Sequence, residues 1–392
     1  MFIERKIYKE LEKHLGKKQI TVITGMRRTG KTTLIKQLLK IINSENKTYI
    51  DLERLDNREV FAEKNYDNII HSLSERGLDF SKKTYIAIDE IQLSPGIISA
   101  LKYLYDNYDI KFLITGSSSY YLKNLFKESL SGRKKIFELY PLDFGEFLTF
   151  KKIHFIESDF SLKNFTPSEY ERLKAYYDEY IKYGGFPEVV LTKDKEQKID
   201  LISDIISSYV NIDIRSLSDF RSDKNIYNLI KLLAARTGTK LDYSKIARIS
   251  GLSRPTVLNY IDFFEKTYLI RRIPVLVKHP DREIVKAKKL YFCDNGIANI
   301  LFDLSSGAMF ENAVFNQLRR KGSLSYYCLK TGREIDFILN HSIAFEVKES
   351  PTGFDLKPME NLSKSAGIKK SRLIGRKPVP RFRDYIWGGD IK

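Results

Sequence analysis

The run Gly25-Met26-Arg27-Arg28-Thr29-Gly30-Lys31-Thr32 is a complete GxxxxGK[ST] loop, and its residue types suit one task, holding the phosphates of a nucleotide. Its glycines let main-chain N–H groups wrap the phosphates, and a helix starting at the loop would aim its positive end at them. Lys31 would reach the β- and γ-phosphates, the Thr32 hydroxyl would sit on Mg2+, and Thr33 completes the set of residues expected around the nucleotide. Downstream, Tyr85-Ile86-Ala87-Ile88-Asp89-Glu90 ends an apolar run on two acids. Asp89 is expected on the metal and Glu90 as the catalytic base that orients an attacking water. A further run, IKFLITGSSS, ends in hydroxyls, with Thr115 and Ser117 as candidates for a polar sensor of the γ-phosphate or as simple strand caps. Arg133, in LSGR, could serve as an arginine finger in cis or from a neighbouring subunit, or be an ordinary surface arginine.

A second constellation lies near the C-terminus, where Gly332-Arg333-Glu334-Ile335-Asp336-Phe337-Ile338-Leu339 is followed by Asn340-His341-Ser342 and Ile343-Ala344-Phe345-Glu346-Val347-Lys348. With a turn centred on His341, Asp336 faces Glu346 and Glu334 faces Lys348, all on one side of a hairpin. Directly opposed residues have Cβ atoms about 4.5–5.5 Å apart, so the two carboxylates repel unless a cation lies between them. A divalent ion there would put Lys348 beside it, able to orient a water or steady a phosphorane-like charge. The bland alternative is a solvated charged face with a Glu334–Lys348 pair.

A third pattern is a helix-turn-helix. Residues 242–250 read as a short helix, Gly251-Leu252 as its turn, and Ser253 as the cap of a second helix opening Arg254-Pro255-Thr256. Val257, Leu258, Ile261 and Phe264 make its apolar face, leaving Thr256, Asn259, Tyr260 and Phe263 on another, with Arg254 at the end where recognition helices meet the major groove. The β-rich LIRRIPVLVK would follow as a wing carrying Arg271, Arg272 and Lys278. Winged helices also serve as protein-docking units, so the geometry alone leaves DNA contact open.

The elements that must position these residues follow from periodicity. Over residues 18–140 the runs QITVITG, TYIDLE, TYIAIDEI, IKFLITGSS and KIFELYPL alternate with helical patterns, as in a parallel α/β sheet. From about 145 to 235 the chain becomes helical and aromatic, broken at Gly184-Gly185 and Pro187. From about 285 it reads α+β, with strands at LYFCD, SYYCL, EIDFIL and IAFEVK and a basic stretch after 368. The expected division is 1–150 for the phosphate-binding domain, 151–225 for a helical lid or linker, 226–280 for the winged helix, and 281–392 for the last domain.

Taken in order, GMRRTGKTTL, AIDEIQ, ITGSSS, SLSGRK and LYPLDFGEFL resemble the AAA+-like archaeal and bacterial P-loop ATPases with a variable C-terminal half. The resemblance implies ATP as the nucleotide, since no guanine-specifying NKxD-type motif is visible. The C-terminal hairpin resembles the PD-(D/E)xK nuclease superfamily, in which Asp336, Glu346 and Lys348 match the motif residues and Glu311 matches an additional helical acid. It implies metal ligation by Glu311, Asp336 and Glu346 and catalytic roles for Asp336, Glu346 and Lys348. The proline usual in that superfamily's sheet is absent. The implied architecture is an AAA+-like P-loop NTPase sheet, then a helical and winged-helix segment, then a smaller α+β nuclease-like domain.

Composition bounds the rest. The 392 residues are 42% hydrophobic and 30% charged, which excludes a disordered chain and suits several packed cores. Lys and Arg number 67 against 50 Asp and Glu, a net +17 that suits a polyanionic partner, with nucleic acid expected first, an acidic membrane surface second, and a Lys-rich surface of no special function as the bland alternative. Two cysteines, Cys293 and Cys328, are too few for a disulfide framework and point to a cytoplasmic home. No apolar run is long enough to span a membrane, and whether the chain forms a homo-oligomer is left open. The expectation is therefore an Mg2+-dependent ATPase that binds DNA and couples nucleotide state to a nuclease-like domain; the alternative is a nucleotide-switched interaction module that cuts nothing.

Overall fold

In the computed structural model, which describes residues 2–94, 96–117, 130, 132–157, 159–214, 223–277 and 287–392, the five N-terminal apolar runs become strands. They are β1 (Ile20–Thr24), β2 (Lys47–Asp51), β3 (Thr84–Asp89), β4 (Ile110–Gly116) and β5 (Lys134–Glu138). All pair in parallel, in the order β2-β3-β4-β1-β5. Every residue of β1 and β4 is buried, as expected of central strands covered on both faces. Period-two alternation sorts the side chains. Ile86, Ile88, Phe112 and Ile114 join one core with helix α2 (Ile97–Asn107), while Ala87 and Leu113 join the other with Leu34, Ile35 and Leu38 of α1 (Lys31–Ile41).

The chain divides into two compact units, Met1–Tyr140 with Lys266–Tyr268, and Pro141–Glu265 with Leu269–Lys392. The second begins with helices, the longest being α3 (Pro167–Tyr183), which stops at Gly184 in a left-handed conformation, φ +76°. A Cβ at Gly184 would strike the Asp294 carboxylate, so the Gly-Gly break is also a close-packing point. The segment expected as a helix-turn-helix contains two helices, α4 (Tyr243–Ser250) and α5 (Arg254–Lys266), with Gly251 at φ +69° ending the first. The Ser253 hydroxyl caps α5 by accepting from the Thr256 N–H at 3.2 Å. Strand β6 (Ile270–Ile273) then pairs with β7 (Lys289–Phe292) in a two-stranded antiparallel ribbon.

The C-terminal part places α6 (Ser306–Leu318) and α7 (Gly353–Ser365) with a mixed sheet of β8 (Leu324–Cys328), β9 (Glu334–Leu339), β10 (Ile343–Lys348), β11 (Lys370–Gly375) and β12 (Ile386–Trp387), in the order β12-β11-β10-β9-β8. The hairpin register pairs Ile343 with Leu339 and Phe345 with Phe337, which centres the turn on His341 as the sequence implies. The basic stretch after 368 is not a tail: Leu373 and Ile374 are buried and β11 runs parallel to β10.

Candidate functional site

The phosphate loop leaves β1 at Thr24 and enters α1 at Lys31. Gly25 packs so tightly that a Cβ would collide with the Leu139 carbonyl, one residue past the end of β5. Gly30, at φ +97°, caps α1 in a conformation that glycine adopts without strain, which turns the first N–H groups of an eleven-residue helix toward the loop. Arg28 also has positive φ, +61°. The Thr29 hydroxyl donates to the Met26 carbonyl at 2.8 Å and Lys31 Nζ donates to the same carbonyl at 3.1 Å, so the lysine lies folded over the loop, buried. Arg27 is half-buried and Thr32 and Thr33 follow in the first turn of α1. Arg5, which the motif gives no reason to suspect, staples the loop from outside by donating to the Thr29 carbonyl at 2.9 Å and the Tyr140 carbonyl at 2.7 Å.

Because β4 lies between β1 and β3, Thr115 stands beside Ile23 on one side and one residue past the Ile114–Ile88 pair on the other. Its hydroxyl donates to Asp89 Oδ1 and accepts from the Glu90 N–H at 3.1 Å. Tyr49 on β2 donates to Asp89 Oδ2 at 2.7 Å, and burial together with that carboxylate raises the Tyr49 phenol above its ordinary value. Glu90 sits at φ +54°, outside the strand's geometry, with its carboxylate held by Gln92 Nε2. Gln92 also donates to the Ser117 hydroxyl at 2.9 Å. The two acids, Thr115 and Ser117 therefore form one buried network. The glutamine after the acid pair was the visible sign of it; nothing marked Tyr49.

Hard oxygen donors from Thr32 and Asp89 with a lysine and helix N-terminus nearby are the chemistry that Mg2+ and a triphosphate take. Arg133 is placed elsewhere. Its carbonyl bonds Ile20 N at the start of β1, roughly 16 Å along a five-residue strand from the loop, and its guanidinium pairs with Asp106 of α2 at 2.9 Å. A finger role at this domain's own nucleotide does not fit that position.

These observations agree with what the chain resembles. A family described as an AAA domain matches residues 17–148. The phosphate loop and the network at Asp89 and Glu90 lie within the residues that this family matches. Two further families, both described as domains of unknown function, match residues 174–308 and 306–381. An uncharacterized protein of Methanocaldococcus jannaschii is 28% identical over 94% of this chain and 84% of its own length. An uncharacterized protein of Haemophilus influenzae is 28% identical over 84% of each. Among solved structures, the Aeropyrum pernix ORC1 protein in complex with DNA overlaps at TM-score 0.34 with 13% identity, covering 77% of this chain and 92% of that one. RuvB of Thermotoga maritima overlaps at 0.33 with 16% identity, covering 70% and 91%.

The second unit does bring Glu311, Asp336, Glu346 and Lys348 to one cavity of about 380 Å³, which Arg333, Glu334 and Asp355 also line. Lys348 pairs with Glu346 at 3.0 Å rather than with Glu334. Asp336 Oδ2 accepts from the Val347 N–H at 2.9 Å. Burial and the neighbouring Asp336 push Glu311 up to about 7, and burial raises Glu346 as well. Among the described residues, no group of three or more His, Cys, Asp or Glu is arranged to hold a metal ion.

The helix-turn-helix differs from its expected face. Tyr260 and Phe263 are buried, not exposed, with Tyr260 stacked on Phe264 at a centroid distance of 6.0 Å. Aromatic pairs at i and i+4 share a helix face, so the apolar face is wider than the aliphatic positions alone suggest. Arg254 and Asn259 remain exposed and Thr256 half-buried. Arg272 is turned inward, bonded to Glu265, Asp262 and the Tyr243 hydroxyl, and is not a free wing cation. Lys278 lies outside the described residues.

Proposed function

We propose that this protein is an ATPase that requires Mg2+. The observation that carries the reading is the single hydrogen-bonded network in which Thr115 ties Asp89 to Glu90 at the strand ends that also carry the phosphate loop. The main-chain N–H groups of residues 25–31 and Lys31 would hold the phosphates, and Thr32 and Asp89 would hold the metal. Mg2+, when bound, neutralises charge on the phosphate oxygens. Glu90 would accept a hydrogen bond from the attacking water, and Gln92 and Ser117 fix the direction of its carboxylate. The decisive test is Lys31→Ala: hydrolysis should fall at least about 100-fold, measured as phosphate release, while the thermal midpoint holds. Unchanged turnover would end the assignment.

The remaining half of the reading is a DNA partner whose binding responds to nucleotide. It is supported by the net charge of +17 and by the capped second helix of the helix-turn-helix with Arg254 at its open end. Between a domain that cuts and one that only binds, the side chains around Asp336 favour binding, because a lysine already neutralises the acids there. A plasmid-nicking assay in Mg2+ or Mn2+ should then stay negative with and without ATP.

A further inference from the structure

We propose that Lys289 is a resident cation standing where a divalent metal would otherwise bind, so that the nuclease-like cavity works without one. The inference is independent of the ATPase reading. A hairpin that opposes Asp336 to Glu346 needs positive charge between its strands and the helix carrying Glu311. The protein supplies it from β7. Lys289 Nζ lies 2.8 Å from Glu334, 3.3 Å from Asp336 and 3.7 Å from Glu311, with the side chain 1% exposed. It also lies over the Tyr326 ring, 5.6 Å from the centroid. Lys240 adds a second ammonium to Glu334 at 3.0 Å.

Each of the three acids that would ligate a metal already has a partner on at least one oxygen. Asp336 uses one on Lys289 and the other on the Val347 N–H. Glu311 Oε1 accepts from the Tyr291 hydroxyl at 2.6 Å as well as facing Lys289. Glu346 is paired with Lys348. A divalent ion needs several oxygens at about 2.0–2.6 Å, and reaching Glu311 and Asp336 together would bring it against a buried ammonium it cannot displace into solvent. The ladder with Ile273 fixes the Lys289 backbone, and burial with three carboxylates holds its ammonium.

The test counts Mn2+ bound to the full chain by electron paramagnetic resonance, without nucleotide, for the natural protein and for Asp336→Asn, Lys289→Met and the double variant. The natural protein and Asp336→Asn should bind the same number of ions. Lys289→Met should gain one site, at least about 100-fold tighter than any in the natural chain at that position, and the double variant should lose it again. Fewer ions on Asp336→Asn than on the natural protein overturns the proposal, and that comparison stands even where Lys289→Met fails to fold. A folded Lys289→Met with no new site overturns it too.

Discussion

Replacing Thr115 by valine removes one hydroxyl while keeping the side chain's shape. That hydroxyl is fully buried and makes two bonds, donating to the Asp89 carboxylate and accepting from the Glu90 N–H at 3.1 Å. A hydrogen bond to a charged group contributes about 1.5–3 kcal/mol, and an abandoned buried N–H costs about 1–3 kcal/mol. If the bond to Asp89 matters to the reacting geometry, its loss corresponds to about 10- to 150-fold in turnover at 1.36 kcal/mol per decade. Nucleotide affinity should change little, because the groups that cradle phosphate belong to residues 25–31. Thr115→Ser keeps the hydroxyl and should recover most of the rate. The assay is steady-state phosphate release with separate binding titrations for ATP and ADP. A selective loss of ATP affinity would mean that Thr115 touches the γ-phosphate instead. Turnover within twofold of the natural protein, or a serine variant as slow as the valine one, would refute the argument.

Three further outcomes follow from other parts of the molecule. Asp294 is fully buried, where it accepts from the Gly185 and Ile297 N–H groups, and burial pushes it up to about 6. Between its ordinary value of about 3.9 and 6 the folded chain holds a proton that the unfolded chain has released, so stability contributed by this group falls as pH rises through that window, by at most about 3 kcal/mol. Denaturant midpoints at pH 4, 5 and 6 should show the fall, and Asp294→Ala should flatten it. In the helix-turn-helix, Arg254→Ala should lower the affinity for duplex DNA and reduce the salt dependence by about one ion, with the thermal midpoint unchanged. Arg272→Ala should leave DNA affinity unchanged and lower the midpoint, since it strands Glu265 and Asp262; equal effects of the two on DNA binding would contradict the inward placement of Arg272.

The phosphate-loop geometry is legible in sequence because it is local. A strand, a glycine loop and a helix are consecutive in sequence, and each of the five apolar runs that became β1 to β5 is a local pattern of five to seven residues. The hairpin register was legible for the same reason: a short turn leaves one pairing that buries Phe337 and Phe345 together. The exposed face of α5 is narrower than the alternation of aliphatic and polar positions implies, because helical spacing places Tyr260 beside Phe264 and both it and Phe263 are buried.

What the sequence determined by itself is thus the phosphate loop, the two acids at the end of β3 and the strands that carry them, since periodicity and adjacent residue types act within one or two turns of chain. What only the tertiary structure decided is which charges meet. Lys289 stands 47 positions before Asp336, and nothing in AKKLYF distinguishes it from a surface lysine. Folding buries it among three carboxylates, because unlike charges withdrawn from water must find one another wherever the chain has placed them.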